Sequence, residues 1–163
     1  MRAFEDLVRR YQAPMFRLAL RMLANRGDAE DVVQDVFLTA WRRLPGLHAD
    51  GAFAAWLYRM ATNRCLNVLR ARRPSVELDT ERTASTAAAV QPERAAEIGG
   101  QLAALTAALQ RLTPAQRACW LLREAHGRSY AEIAEITGVS ETAARGRLAR
   151  ARAELVEVMA SWR

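Results

Sequence analysis

The sequence predicts an all-α protein made of two small helical domains, the second of which contains a helix-turn-helix. Apolar residues recur at spacings of three and four through nearly every long segment, which is typical of amphipathic helices. No stretch of four or more residues alternates strictly with the β-branched enrichment of a strand. A chain of 163 residues, 51% of them hydrophobic, suffices for one ordinary domain or for two small ones with modest cores.

The first half of the chain is predicted to form three helices, over approximately residues 2–25, 28–44 and 51–72. They are separated by turn-forming sequences, NRGD at 25–28 and LPGLHADGAF at 44–53. Asp28 is predicted to cap the second helix, with Asp31 at the capping-box position.

Residues 74–92 contain few large apolar side chains and are rich in Ser, Thr and Ala, with two prolines. Such a composition cannot bury enough surface to order itself, so we predict a flexible linker. The helical pattern resumes near Glu93, weakens at Gly99-Gly100, and continues through three or four further helices. The predicted domains are therefore 1–73 and 93–163.

Charge is distributed unevenly along the chain. The formal net charge is +6, the isoelectric point is near 10.5, and every basic residue is arginine. Residues 51–73 contain five arginines and no carboxylate, whereas 28–50 contain five carboxylates and two arginines. Net charge alone fits any basic soluble protein, but one domain with a basic and an acidic face suggests two different partners, one of them a polyanion.

Several classes of protein are disfavoured. No apolar run approaches the roughly 20 residues of a membrane span, and residues 1–10 lack the core of a signal peptide, so we expect a cytoplasmic protein. Cys65 and Cys119 are solitary, without a CxxC partner or a histidine at ligand spacing, and are expected to be small buried hydrophobes. We expect no metal and no other cofactor.

The segment SYAEIAEITGVSETAARGRLARAR (129–152) has the helix-turn-helix pattern. Ile133 and Ala134 are predicted to point inward, Gly138 to form the turn, Val139 to be buried and Ser140 to cap the second helix. Glycine adopts a positive φ without steric cost, which suits the turn.

The second helix of this pair has two distinct faces. At about 100° per residue, one side is apolar and suited to packing: it holds Ala144, Leu148, Ala151 and Leu155. The opposite side holds Thr142, Arg145, Gly146, Ala149 and Arg150, flanked by Arg147 and Arg152. Small residues and arginines on an outer face fit the DNA major groove, where Arg binds guanine O6 and N7. The alternative is a solvated basic helix of an ordinary bundle.

Two stripes run along residues 51–73. One is apolar and consists of Phe53, Leu57, Met60, Ala61, Cys65, Val68 and Leu69. The other consists of Trp56, Arg59, Asn63, Asn67 and Arg70, at spacings of three and four. Amide groups can hydrogen-bond base edges and flat side chains can stack on unpaired bases, so this stripe suits opening DNA. The alternative is that Trp56 belongs to the core and the asparagines are ordinary surface amides.

The predicted helix at 28–44 is acidic on one side. Val32, Val36, Phe37 and Ala40 can pack inward while the other side carries Asp28, Asp31, Gln34 and Asp35. A surface of this kind can dock a basic protein helix, or can serve only to keep the domain in solution.

Together these blocks resemble the sigma-70 family of bacterial RNA polymerase initiation factors, in particular its compact extracytoplasmic-function (ECF) group. The segment DAEDVVQDVFLTAWRRL (28–44) resembles the core-binding block, and FAAWLYRMATNRCLNVLRARR (53–73) the promoter-melting and −10-reading block. The segment LTPAQRACWLLREAHGRSYAEIAEITGVSETAARGRLARAR (112–152) resembles the −35-reading block. The resemblance covers nearly the whole chain.

The resemblance implies three sets of site residues. The surface that meets the clamp coiled coil of core RNA polymerase would contain Asp31, Gln34, Asp35 and Phe37. The −10 element of promoter DNA would be bound by Leu47, His48, Ala49 and Asp50, in a base-capturing loop at 47–53, and by Trp56, Arg59, Asn63, Asn67 and Arg70. The −35 duplex would be bound by Thr142, Arg145, Gly146, Arg147, Ala149 and Arg150. It also implies an anti-sigma factor as a partner.

The resemblance is imperfect in the last helix. Where the family often has Gly-Thr-Val-Lys-Ser-Arg, this chain has TAARGR (142–147), so that Ala144 and Gly146 replace Val and Ser. The spacing of the arginines is retained, while the base preference is open.

Two other functions compete with an initiation factor. A stand-alone helix-turn-helix regulator would explain 129–152 but neither the acidic helix nor the Trp/Asn stripe. A nuclease would need a metal, and Asp28, Glu30, Asp31 and Asp35 lie along one helix with no second cluster, while His48 and His126 lack evident partners. We therefore expect no enzymatic activity.

Overall fold

The computed structural model describes residues 2–43, 50–72 and 100–160. In these ranges it is all-α, as predicted, with helices α1 (Arg2–Leu23), α2 (Arg26–Arg43), α3 (Asp50–Arg72), α4 (Gly100–Arg111), α5 (Pro114–Trp120), α6 (Tyr130–Thr137) and α7 (Glu141–Ala160). A π-helical turn, Leu121–Ala125, continues α5 directly. The predicted linker at 74–92 lies outside the described residues.

Helices α1, α2 and α3 pack against one another in the first half of the chain. Each contributes an apolar stripe at helical spacing. The buried side chains of α1 are Met15, Leu18, Ala19, Met22 and Leu23, and those of α2 are Ala29, Val32, Val33, Val36 and Ala40. From α3 come Phe53, Leu57, Tyr58, Ala61, Thr62 and Cys65. The apolar stripe predicted for α3 is thus confirmed, with Met60, Val68 and Leu69 half-buried at its edge.

The predicted start of α2 is wrong. The helix begins at Arg26, and the side chain of Asn25 accepts a hydrogen bond from the amide of Asp28 at 2.9 Å. Asn25 is therefore the residue that satisfies a free amide at the helix start, and Asp28 lies inside the first turn. There Asp28 forms an ion pair with Arg72 of α3 instead.

In the second half, α5 begins with a complete capping box. Thr113 accepts a hydrogen bond from the amide of Gln116, whose side chain accepts one from the amide of Thr113, both at 3.2 Å. Pro114 occupies the first helical position, where its missing N–H has no consequence. This rigid entry aligns α5 against α7, with which it makes the main packing contact of this half.

The helix-turn-helix formed by α6 and α7 is confirmed. Gly138 ends α6 with φ +71°, and the hydroxyl of Ser140 accepts a hydrogen bond from the amide of Ala143 at 3.1 Å. Ile133 and Ala134 are buried, whereas Val139 is only half-buried. The predicted packing face of α7 is buried at all four positions, Ala144, Leu148, Ala151 and Leu155.

The two halves share a continuous core. Helix α3 packs on α6, and α1 contacts α4 and α5. The side chain of Arg117, only 3% exposed, donates hydrogen bonds to main-chain oxygens of Leu109 (2.9 Å), Leu112 (3.2 Å) and Met22 at the end of α1. Gln110 likewise donates to the oxygen of Arg21 at 3.2 Å. Main-chain acceptors of α1 thus hold the second half in place.

Candidate nucleic-acid interface

The outer face of α7 is open to solvent. Thr142, Arg145, Ala149 and Arg150 are exposed, and Gly146 is half-buried, on the side opposite the packing face. The helix start is fixed by Ser140 and the preceding turn by Gly138, so the orientation of this face is set by local hydrogen bonds. Four of the six residues predicted for the −35 element therefore form one accessible surface, with Gly146 between them.

Arg147 is placed differently from this group. It is half-buried, and its charge lies close enough to the Cys119 thiol to act on that group. Burial raises the pKa of Cys119, and the Arg147 charge opposes that rise in part. Arg147 thus helps to pack α7 on α5, at the edge of the exposed face.

Tyr130 and Arg123, which lie near this face, were not predicted from the sequence. The guanidinium carbon of Arg145 lies 4.3 Å from the centroid of the Tyr130 ring, and that of Arg123 lies 4.5 Å from the same centroid. The available signal was the position of Tyr130 directly after the cap Ser129, where a helix-start side chain can reach the following helix. Arg123 lies in the π-helical turn, which sequence periodicity does not anticipate.

The second stripe of α3 is also accessible. Arg59, Asn63, Asn67 and Arg70 are exposed, and Arg70 donates a hydrogen bond to Asn67 at 3.2 Å. Trp56 is half-buried, with its ring centroid 6.1 Å from that of Phe53. The structure therefore supports each interpretation of Trp56 in part, because the ring packs at the edge of the core and also keeps an exposed portion.

A cleft of about 900 Å³ separates this stripe from α6. Trp56 and Arg59 line it on one side, and Glu132 and Glu135 of α6 on the other. In this arrangement the acidic side of α6 faces one end of the α3 stripe.

The first part of the predicted base-capturing loop, Leu47, His48 and Ala49, lies outside the described residues. Asp50 begins α3, so the backbone from Asp50 to Phe53 is helical, and the loop predicted over 47–53 is wrong for its second part. The helix-forming sequence of 52–57 extends backward through Gly51 despite the low helix propensity of glycine.

The acidic side of α2 is exposed as predicted. Asp31, Gln34 and Asp35 face solvent, and Phe37 is half-buried. Arg64 of α3 lies 3.7 Å from Asp35 and donates to Thr39 at 3.3 Å. With the ion pair between Arg72 and Asp28, two carboxylates of this side have a neighbouring cation.

An apolar groove beside this acidic side was not anticipated. It encloses about 830 Å³ between α1 and α2, and its walls include Phe4, Phe16, Val33, Phe37, Leu38 and Trp41. Leu38 is 49% exposed and Trp41 48% exposed, although Trp41 makes an edge contact with Phe4 at 4.9 Å. Exposed large apolar side chains that are grouped in this way mark interaction surfaces.

The histidine in the second half has a partner, contrary to expectation. Nδ1 of His126 lies 3.1 Å from the hydroxyl of Tyr58, and the two rings meet edge to face. Burial, aided by the charges of Arg21, Arg17 and Arg128, lowers the pKa of His126 to about 4. Its Nε2 has no hydrogen-bond partner in the described part of the chain. His126 is therefore a neutral contact between the two halves.

The cysteines are buried, as expected. Burial raises the pKa of Cys65 to about 12, which keeps the thiol protonated. Among residues 2–43, 50–72 and 100–160 no group of three or more His, Cys, Asp or Glu side chains is arranged to hold a metal ion. In the same ranges no helix has the length and apolarity needed to cross a bilayer.

Comparison with known proteins places these surfaces in a family. The family description Sigma-70 region 2 matches residues 7–74, which include most of α1 and all of α2 and α3, and Sigma-70, region 4 matches residues 102–155. The ECF RNA polymerase sigma factor SigM of Mycobacterium tuberculosis is 33% identical, over 96% of this chain and 77% of its own. The RNA polymerase sigma-H factor of Pseudomonas aeruginosa is 35% identical, over 93% of this chain and 83% of its own.

Solved structures agree in fold. CnrH, determined in complex with the cytosolic domain of CnrY, is similar with a TM-score of 0.75 and 31% identity, over 98% of this chain and 89% of that chain. The sigma factor RpoE of Bartonella quintana, solved with the anti-sigma factor NepR, has the same fold at 24% identity with a TM-score of 0.77, each chain being covered completely. The matched regions, their order and the helical architecture agree with these relatives. The chain therefore belongs to the ECF sigma factors of the sigma-70 family, which bind RNA polymerase and direct promoter-specific transcription.

Proposed function

We propose that this sigma factor holds core RNA polymerase through α2, the −10 element through α3 and the −35 element through α7, and catalyses no reaction itself. The observation that carries the proposal is the pair of exposed faces on α3 and α7. Each lies on a helix whose opposite side is buried, and each combines arginines with small or amide side chains suited to DNA. The cytoplasm, where polymerase and promoter meet, is its proposed location.

At the −35 element, Arg145 and Arg150 are the candidates for base or phosphate contact. Thr142, Gly146 and Ala149 leave room for the duplex, and Arg147 supports the edge of the face. The low side-chain volume of this face favours insertion into a major groove, where a bidentate arginine contact discriminates by about 1–3 kcal/mol.

At the −10 element, the proposed contacts are those of the α3 stripe. Trp56 offers a partly exposed ring on which an unpaired base can stack, and Asn63 and Asn67 offer donors and acceptors. Residues 47–50 complete this set by resemblance to the family. Because these groups favour unpaired bases over the duplex, their binding energy would stabilise the open strand.

The polymerase surface is proposed to combine charge with apolar area. Asp31, Gln34 and Asp35 would meet basic side chains of the clamp coiled coil, while Phe37 lies at the wall of the groove between α1 and α2. Leu38 and Trp41 extend this surface with exposed apolar area. Apolar anchors supply most of the affinity of protein interfaces, whereas charges mainly steer the approach of the partner.

The compact arrangement described above is incompatible with simultaneous binding of both elements. Elements centred about 25 base pairs apart are separated by about 85 Å of B-DNA, whereas a compact chain of this size has a radius of gyration of about 15 Å. A fully extended stretch of the length of residues 73–99 reaches about 90 Å, so separation of the halves would suffice. We propose that an anti-sigma factor keeps the halves of this protein together. RpoE of Bartonella quintana was solved with the anti-sigma factor NepR, and CnrH with the cytosolic domain of CnrY.

Runoff transcription from a genomic promoter library tests the proposal. Purified core polymerase is used with and without this protein, and discrete start sites are expected only in its presence. Asp31→Ala and Asp35→Ala together should reduce initiation without reducing binding of the free protein to duplex DNA. Absence of new starts, with undiminished duplex binding by the protein alone, would favour a stand-alone regulator instead. Metal-dependent cleavage of the template would favour the nuclease.

A further inference from the structure

Tyr130, the first residue of α6, has two arginines over its ring and a third nearby. The guanidinium groups of Arg145 and Arg123 lie against its ring, at 4.3 and 4.5 Å from the centroid. Arg152 forms an ion pair with Glu124 and lies close enough to Tyr130 to interact with it electrostatically.

The charge balance of this cluster is uneven. Two guanidinium groups lie over one ring with a third close by, and among the described residues Glu124 is the single carboxylate that forms an ion pair with any of the three. Like charges at such short range repel, and the negative face of an aromatic ring offsets the repulsion only in part. A polyanion at the exposed side would remove the remaining imbalance, which makes the cluster more suited to a bound than to a free state.

Stacking also changes what Arg145 can do. A guanidinium that lies flat on a ring keeps its edge N–H groups free, so it can still form a bidentate contact with a base or a phosphate. An exposed arginine loses much rotamer freedom when it binds, and a ring that already restrains it reduces this loss. Arg145 has no ion pair within the described residues, so the ring is what restrains it.

We propose that Tyr130 is a positioning residue for −35 recognition, whose ring orients Arg145 toward the base pair that this arginine reads. This inference rests on the proposed function of α7.

The test compares two substitutions at this position in the holoenzyme. Dissociation constants are measured on a promoter mapped by runoff transcription and on variants of it with single base-pair changes across the −35 element. Tyr130→Leu, which removes the ring, should weaken binding about fivefold and abolish discrimination at one base pair. Tyr130→Phe, which keeps the ring and loses the hydroxyl, should keep that discrimination within about twofold.

A double-mutant cycle separates positioning from general damage. Arg145→Ala should lose discrimination at the same base pair, and Tyr130→Leu combined with it should add little. Arg150→Ala is the matched control, because it is an exposed arginine of the same helix without a ring contact in the described part of the chain. The fold-changes in dissociation constant caused by Arg150→Ala and by Tyr130→Leu should multiply in the double variant.

A second measurement needs no DNA. In the free protein the δ-methylene protons of Arg145 should be shifted upfield by the ring current, and the shift should persist in Tyr130→Phe and vanish in Tyr130→Leu. An unchanged shift in Tyr130→Leu, or discrimination that survives this substitution, overturns the role of Tyr130 alone. A wild-type holoenzyme that is insensitive to every −35 base pair overturns the proposed function, and the inference with it.

Discussion

The two helices proposed to meet DNA, α3 and α7, differ in how freely their polar faces can be reached. The outer face of α7 lies at the periphery, with Arg145 and Arg150 exposed. The stripe of α3 begins in the cleft against α6, where Trp56 and Arg59 face Glu132 and Glu135. Two of the arginines of α3 are engaged with α2, Arg72 with Asp28 and Arg64 with Asp35.

This difference suggests a division of labour. The surface of α7 is complete in the compact protein, so duplex binding needs no rearrangement of the two halves. The Trp56 end of the α3 stripe lies in the cleft against α6, so the proposed binding of opened strands there would be favoured by separation of the halves. The four predictions below test this contrast.

The largest effect is expected for Arg117→Ala. The substitution leaves the main-chain oxygens of Leu109, Leu112 and Met22 without their buried donor, and we expect the free energy of unfolding to fall by about 2–4 kcal/mol. Urea denaturation of the full chain measures it. Burial and the charge of Arg72 lower the pKa of Arg117 to about 10, so the group stays charged at neutral pH.

Arg111→Ala is the control for this prediction, since Arg111 is an exposed arginine near the end of α4. It should change stability by no more than about 0.5 kcal/mol. Energy transfer between dyes on the two halves should also report a larger average separation in Arg117→Ala. Equal stability of the two variants would show that the buried hydrogen bonds do not hold the halves.

Trp56→Ala should affect strand opening and leave duplex binding intact. Loss of a stacking surface worth about 1–3 kcal/mol is expected to reduce open complexes about tenfold, as measured by permanganate reactivity of unpaired thymines. Trp56→Phe, which keeps a flat ring, should retain most of the opening. A parallel loss of −35 duplex binding in Trp56→Ala would contradict the separation of tasks between α3 and α7.

Gly146→Ala should raise stability and lower promoter binding. A Cβ added at Gly146 meets no heavy atom within 4 Å, and alanine is favoured over glycine inside a helix by about 0.5–1 kcal/mol. The fold thus gives no reason for glycine at this position, whereas close approach of DNA to α7 does. Thermal unfolding and holoenzyme binding are measured together, and unchanged binding would remove Gly146 from the proposed contact surface.

The last prediction is a pH dependence at the contact between the halves. Since the pKa of folded His126 is lowered from 6.5 to about 4, the unfolded chain binds a proton in that interval that the folded chain does not. The contribution of neutral His126 to the free energy of unfolding is therefore fully present above pH 6.5 and is lost as the pH falls toward 4. His126→Gln should show a melting temperature that declines less between pH 7 and 5 than that of the wild type, and identical declines would exclude the effect.

Local patterns predicted much of the fold. The helix-turn-helix followed from Gly138 and Ser140, because a left-handed turn and a helix cap depend on neighbouring residues only. The same reasoning placed the α2 cap at Asp28, which was wrong because Asn25 satisfies the helix start and Gly27 is tolerated in the first turn. Asn and Asp are about equally good caps, so the preference of the residue alone does not choose between Asn25 and Asp28.

Contacts between the halves could not be predicted in this way. Tyr58 and His126 are 68 positions apart, and Arg117 is 95 from Met22. Helical periodicity says which side of a helix is buried and nothing about its partner. A buried arginine without a carboxylate is also contrary to the usual preference of that residue for the surface, and main-chain acceptors leave no mark in the sequence.

The hydrogen bonds of Arg117 end on peptide oxygens, which every amino acid supplies. Substitutions at positions 22, 109 and 112 therefore leave the acceptors in place, and are limited by the volume and the apolar surroundings of the new side chain. In a lineage of such proteins, the requirement for a hydrogen-bond donor would fall on position 117 alone, while the residues it joins could exchange one apolar side chain for another. The two halves could then diverge in side-chain identity and still dock in the same register.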